Sequence, residues 1–331
     1  MRQKKITILL LLLGIIVAFV FSMMAGTVSI PLRALISYDA SDASSVIIWQ
    51  SRLPAAIMAI VAGSALAVSG LQMQTIFRNP VAGPYVMGIS SGAQLGVALF
   101  VLTTSHLSVH WISDLSITIA AAGGALVLFS FISFIAARKH APATILVIGL
   151  LITGMCAAVI NIIETLLPDG ALRNLLFWSF GSLQGITLQQ IPMVTSIVML
   201  ALVTSMFYAG KMNVLLLGEN YAQSSGIEVK QTVFAITTLT CILAGTVTAF
   251  CGPIAFIGLA IPHGARILMR TSDHRILLPV TALLGALFCL LCNILTHLSY
   301  GGLTIPLNAI TSITGAPFII WLLLKMKGDQ L

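Results

Sequence analysis

Ile6 to Gly26 reads ITILLLLLGIIVAFVFSMMAG, with no charged side chain in it, and apolar runs of the same kind recur as far as Lys325. A backbone placed in lipid has no water to bond to, so a run like this satisfies its N–H and C=O groups by coiling into a helix. The runs therefore point to one architecture, a bundle of membrane-spanning helices. Composition agrees. Only 8 % of the 331 residues are charged and 58 % are hydrophobic, with a mean hydropathy of +1.07. A soluble domain carries about 25 % charged residues. At roughly 20 residues per span the chain holds about eight to ten spans, and no stretch between them is long enough for a soluble domain. The expectation is a single all-α polytopic membrane domain over 1–331.

The first run is longer than the roughly 7–15 apolar residues of a signal peptide. It reads as an uncleaved first span, 6–26, with its basic MRQKK end in the cytoplasm. Further runs cover 53–74, 85–104, 114–137, 142–167, 190–209, 231–251, 255–269, 275–297 and 306–324. Ten spans place both termini on one side. The run at 255–269 is too short to cross comfortably, and Gly258, Pro262 and Gly264 interrupt it. Basic residues set the orientation. Of the 16 Lys and Arg residues, all but Arg33, Arg52 and Arg173 then fall at cytoplasmic ends. Asp39, Asp42, Asp114, Glu164 and Asp169 lie on or near the outer side. This asymmetry accounts for the net charge of +7 without invoking nucleic acid. Residues 168–189 suit a short helix at the outer face. Residues 211–230 form an amphipathic cytoplasmic loop punctuated by Gly218 and Gly226.

The stretch CGPIAFIGLAIPHGARIL, Cys251 to Leu268, is unlike a plain span. It belongs to a repeat. Ala62-Gly63, Gly70 and Pro80 recur at the same spacing as Ala244-Gly245, Gly252 and Pro262, on spans predicted to run in opposite directions. Inverted repeats with Gly/Pro-interrupted helices are a transporter signature, and their breaks mark the pathway. Both copies are therefore expected to be broken helices, packed around Arg78-Asn79-Pro80 in one and Gly252, Pro262 and His263 in the other. Gly92-x3-Gly96 would let a neighbouring helix approach closely.

Chemistry-bearing patterns are missing. The histidines form no H-E-x-x-H motif, and no G-x4-G-K-[ST] motif exists to hold ATP. The five cysteines all sit in apolar runs and read as buried, inert thiols. No catalytic residue, metal site or cofactor is expected. Acids deep in the spans are scarce, which argues against an ion- or proton-coupled secondary transporter, and no polar cluster suggests a membrane enzyme.

The residues do resemble a family. RLPAAIMAIVAGSALAVSGLQMQTIFRNPVAGPYVMGISSGAQLG (Arg52 to Gly96) is similar to the signature of permease subunits in bacterial ABC importers for ferric siderophores, haem and vitamin B12. LGENYAQSSGI (Leu217 to Ile227) resembles their cytoplasmic coupling loop. GPIAFIGLAIPHGARIL, DHRILLPVTALLGAL and ITGAPFIIWLLLK (Ile313 to Lys325) resemble the later signatures, in order. The resemblance implies two permease subunits, two ATPase subunits beneath them, and an extracytoplasmic binding protein that delivers a metal chelate across the inner membrane. It places Gly218, Glu219, Ala222 and Gly226 on the helices that dock into the ATPase, and Arg52 at the outer face against the binding protein.

Four positions depart from the family pattern. Ala55 stands where a second outer arginine is frequent, His297 where a later one is, and Thr304 where an acid precedes the last Ile-Pro. Gln223-Ser224-Ser225 replaces a basic residue and a leucine in the coupling loop. A histidine carries less charge than an arginine at neutral pH, so docking through Arg52 and His297 is expected to be rewired. The path is expected between two copies, lined by the fifth and tenth spans and the 168–189 helix, with Thr153, Asn161 and Ser182 facing it. Iron chelates lead as cargo and vitamin B12 follows.

Overall fold

The computed structural model of the chain describes residues 2–26, 42–106, 114–138, 142–297 and 305–325. Thr304 and Arg33 lie outside them. Among the described residues all regular structure is helical. In chain order the α-helices are α1 (Arg2–Met24), α2 (Ala43–Ile47), α3 (Leu53–Phe77), α4 (Ile89–His106), α5 (Asp114–Arg138), α6 (Pro142–Leu166) and α7 (Asp169–Ser179). Then come α8 (Ile191–Phe207), α9 (Ala209–Leu215), α10 (Glu219–Ser224), α11 (Val229–Cys251), α12 (Ile257–Met269), α13 (His274–His297) and α14 (Leu307–Lys325).

Each predicted apolar run falls on a helix, but not every helix can cross a bilayer alone. Six are long and apolar enough: Lys4–Met24, Ala43–Phe77, Ser116–Ile135, Thr144–Leu166, Val229–Cys251 and His274–His297. The second begins well before the predicted residue 53, because a π-helical turn at Ile48–Arg52 joins α2 to α3. A seventh forms if α8 and α9 are taken together across their 56° bend. The helices α4, α12 and α14 are shorter. At about 1.5 Å per residue, α12 covers roughly 20 Å of a hydrocarbon core about 30 Å thick. Non-helical chain continues its line: Gly252, Pro253 and Ile254 are buried ahead of it. Irregular backbone survives at that depth only inside protein.

The bundle is built around α3, in which every residue from Val61 to Thr75 is buried. Apart from Gln72 and Gln74 its residues are apolar or small all round, the pattern of a helix enclosed on every side. Lipid tails are as apolar as leucine, so association of such helices rests on close packing and polar bonds. The α3–α13 crossing shows both. A Cβ on Gly63 would collide with the Gly285 carbonyl and a Cβ on Gly285 with that of Gly63. One turn away Ser64 Oγ donates to the Ala282 carbonyl at 3.0 Å. Ser64 meets Ala282 while Thr75 meets His274, so the two helices run antiparallel. A second apolar cluster joins α4, α5, α6 and α7. There Gly92 and Gly96 lie against the carbonyls of Gly124 and Ala120, the close approach expected of that pair, with α5 as the neighbour.

The sequence repeat is not matched by equivalent breaks. The helix α3 passes through Gly70 without interruption and ends at Phe77, whereas α11 stops at Cys251 and Gly252 leaves it at φ +71°. Gly63 is a helix-crossing point. A Cβ on Gly245 would meet only Ile89 Cγ2, at 3.7 Å. The same letters serve two ends: close approach in an enclosed helix, and a change of direction at the end of another.

Candidate functional site

The stretch Cys251–Leu268 is a braced element. Pro262 sits inside α12 and has no N–H, so the carbonyl four residues earlier, on Gly258, receives no helical hydrogen bond. That carbonyl lies against Gly70 of α3, where a Cβ would stand. His263, 7 % exposed, uses Nε2 to donate to the Pro80 carbonyl at 2.6 Å. Arg266 Nη1 donates to Gln74 Oε1 at 2.6 Å, and Gln74 Nε2 to the Leu259 carbonyl at 3.2 Å. His263 and Arg266 thus tie α12 to α3 and to the chain that follows it. These contacts bring Pro80 and His263, from the two copies of the repeat, against each other.

Arg78 ends α3 in the left-handed region at φ +46°, an arrangement that costs a non-glycine residue about 1–2 kcal/mol. The Schellman pair Arg78 N–H to Thr75 O and Asn79 N–H to Gln74 O offsets it. Asn79 Oδ1 then accepts from Val81 N at 2.9 Å and turns the chain back. Pro84 comes to lie against Gly258, so the chain after α3 returns alongside α12 before α4 begins.

Arg78, Lys211, Arg266, Arg270 and Arg275 gather at one end of the bundle with the 211–230 segment. The α3–α13 crossing, the Arg266–Gln74 bond and the Asn213–Asp273 bond at 2.7 Å bring them together. There α10 stands between two glycines that hold backbone other residues avoid, Gly218 at φ +118° and Gly226 at φ +79°. Gly226 closes a Schellman motif, with Ile227 N–H bonded to Ala222 O and Gly226 N–H to Gln223 O. Ala222 is fully buried and faces its own chain, while Leu217 and Tyr221 are exposed by more than half. Of the predicted docking residues, Gly218 and Gly226 shape the loop, Glu219 opens its helix and Ala222 roots it. The surface on offer is Leu217 and Tyr221, which the motif did not single out. An exposed tyrosine beside an exposed leucine was the available signal.

At the opposite end, Arg52 is 5 % exposed. Its Nη1 donates to the carbonyls of Met23 and Met24, at 3.1 and 2.9 Å. In this conformation it braces the end of α1 against the start of α3. His297 lies at the same end, and its Nε2 is sealed from solvent without a partner among the described residues. Of the residues expected to line a path, Asn161 and Ser182 are exposed. Thr153 is half-buried, with its hydroxyl turned away from solvent.

The profile of the FecCD transport family matches residues 12–325. The chain belongs to that family. It is 32 % identical to the hemin transport system permease protein of Yersinia pestis over 329 residues, covering 99 % of this chain and 98 % of the other. It is 33 % identical to the vitamin B12 import system permease protein of Salmonella arizonae over 285 residues, covering 86 % and 85 %. A solved metal-chelate type ABC transporter, in an inward-facing conformation, shares the fold. Its TM-score is 0.85 at 24 % identity, over 97 % of this chain and 99 % of that one. The protein is therefore a multi-pass membrane permease of the ABC importer class.

Within this FecCD chain the polar ties that hold the basic end were not singled out from the sequence. Gln72 Nε2 donates to Ser205 Oγ of α8 at 2.7 Å, and Thr240 Oγ1 of α11 donates to Gln72 Oε1 at 2.8 Å. Asn213 links α9 to the start of α13. A glutamine or asparagine in an apolar run is itself a signal, because its amide needs partners on another helix. Which partners it takes is a tertiary fact.

Asp273 caps α13 by accepting from Arg275 N at 3.0 Å. The Asn213 amide, followed by that Arg275 backbone bond, holds its carboxyl below the usual carboxylate range. All five cysteines are free and buried.

Proposed function

We propose that this chain is the translocating subunit of an ATP-driven importer of iron chelates, haem or a ferric siderophore. It crosses the inner membrane ten times with both termini in the cytoplasm, counting α4, α12 and α14 as spans completed by buried irregular chain. Two copies, or a copy and a close paralogue, enclose the path. ATP is hydrolysed on separate ATPase subunits that engage the 211–230 loop, and an extracytoplasmic binding protein delivers the chelate.

The observation that carries this reading is α10. A short helix held between two glycines at positive φ presents Leu217 and Tyr221 at the end where the basic residues collect. The positive-inside rule makes that end cytoplasmic. The surface of α6 supports the path. Gly154, Ala157, Ala158, Asn161 and Thr165 are exposed on one face, whereas Leu151, Met155, Ile162 and Leu166 are exposed on another. The second face suits lipid and the first suits a partner copy across a smooth channel. Asn161, and Ser182 after α7, are the polar groups best placed along it.

Uptake into proteoliposomes carrying the permease, its ATPase and its binding protein tests the reading. Haem or ferric siderophore should accumulate only while ATP is hydrolysed. Accumulation without hydrolysis would refute an ABC mechanism. The vitamin B12 reading has support from the Salmonella arizonae relative, and cobalamin in the same assay distinguishes the two cargoes.

A further inference from the structure

Four side chains form a hydrogen-bond chain where α9, α3 and α13 meet, running inward from half-buried Asp273 and Asn213 to buried His274 and Thr75. Asn213 Nδ2 donates to Asp273 Oδ1 at 2.7 Å. A carboxylate only accepts, so this bond fixes the amide's orientation. Asn213 Oδ1 therefore faces His274, accepting from its backbone N at 2.8 Å and lying 2.8 Å from Nδ1. An amide oxygen cannot donate, so the ring proton sits on Nδ1. Nε2 lies 2.7 Å from the Thr75 hydroxyl, which also bonds the Leu71 carbonyl at 2.8 Å. His274 and Thr75 are each 1 % exposed. The bonds run from the α13 cap to the last turn of α3.

We propose that Asn213 and His274 are positioning residues that carry movement of the coupling loop into the α3–α13 core. This rests on the importer reading above. The helix α10 packs on α9, and its Ala222 is fully buried. Apolar contacts from Met212 and Leu215 hold α9 in place, but they allow it to slide. The amide of Asn213 does not: a shift of α9 along α13 breaks all its bonds together and leaves buried groups unpaired. Asp273 acts as the anchor that orients the amide, and Thr75 is the receiving point on α3. Displacement of α10 thus reaches α13 and α3 as one rigid-body movement.

The test uses the complete transporter in proteoliposomes, with spin labels at exposed Ser224 on α10 and Ser272 before α13. In the wild type the 224–272 distance should be the same with and without ATP. In Asn213→Ala and His274→Ala it should change on ATP binding, and uptake per ATP hydrolysed should fall by about tenfold, the scale on which residues along such links alter coupling. Thr75→Val removes one hydroxyl and keeps the volume. It should leave the 224–272 distance fixed and still lower uptake per ATP by about threefold. If the alanine variants fail to assemble, Thr75→Val carries the test. A fixed distance in the assembled alanine variants, or an unchanged uptake-to-ATP ratio in Thr75→Val, overturns the proposal. A wild type that takes up chelate without ATP hydrolysis overturns the importer reading instead.

Discussion

The carbonyl oxygen of Gly258 occupies the space where a Cβ on Gly70 would lie. Pro262 has removed that oxygen's helical partner, and the missing side chain on Gly70 makes room for it. Two helices meet backbone to backbone at this point, and α12 gains the close seat on α3 that its bonds at His263 and Arg266 extend.

Gly70→Ala should accordingly be among the most damaging small substitutions in the chain. Overpacking of this kind costs about 1–3 kcal/mol, and backbone cannot yield as a side chain can. Gly245→Ala, in the other copy of the repeat, meets only the tip of Ile89 at 3.7 Å and should leave stability nearly unchanged. Thermal unfolding of both variants in detergent checks this. Equal losses would show that the two glycines are equivalent after all.

Acid should weaken the α13 cap. The folded carboxyl of Asp273 titrates below its ordinary value because the Asn213 amide and the Arg275 N–H favour the anion. A depressed pKa contributes stability above the unfolded value, near about 4, that is lost as pH falls through the folded value. The Asp273→Asn variant cannot lose that contribution. Its unfolding midpoint should therefore vary less than that of the wild type between about pH 5 and pH 2.

Leu217→Ala and Tyr221→Ala should weaken ATPase binding while leaving the unfolding temperature in place, since both side chains project from the fold. A central aromatic at an interface contributes about 2 kcal/mol or more, roughly a thirtyfold change in affinity. Ala222→Leu should act differently, unfolding α10 because that side chain is fully buried against its own chain. Binding of the ATPase to nanodisc-embedded permease separates the two outcomes.

Arg52→Gln should lower the unfolding temperature. The guanidinium bonds to the Met23 and Met24 carbonyls, and bonds from a charged group contribute about 1.5–3 kcal/mol. An unchanged unfolding temperature with a loss of binding-protein affinity would return Arg52 to a docking role.

The sequence by itself determined the fold class. Long uncharged runs leave the backbone only its own partners, and that requirement is local, so each run could be placed on a helix without knowing its neighbours. Family membership was legible for a related reason, because the signatures from Arg52 to Lys325 carry their glycines and prolines at fixed spacing. The coupling segment was legible too, since Gly218 and Gly226 mark backbone that only glycine adopts readily.

Tertiary structure alone decided how those residues are used. His263 and Arg266 looked like isolated polar groups in an apolar stretch, and contacts with Pro80 and Gln74, far away in the chain, make them braces. Gly63 and Gly245 hold the same place in the repeat, and only their surroundings separate a crossing point from open packing. Thr153 and Ala222 turned inward, and Arg52 was spent on carbonyls of α1. The physical reason is common to all of them. Helix formation in lipid is governed by bonds between near neighbours, whereas a side chain's role depends on which distant carbonyl, amide or missing Cβ the packing brings against it.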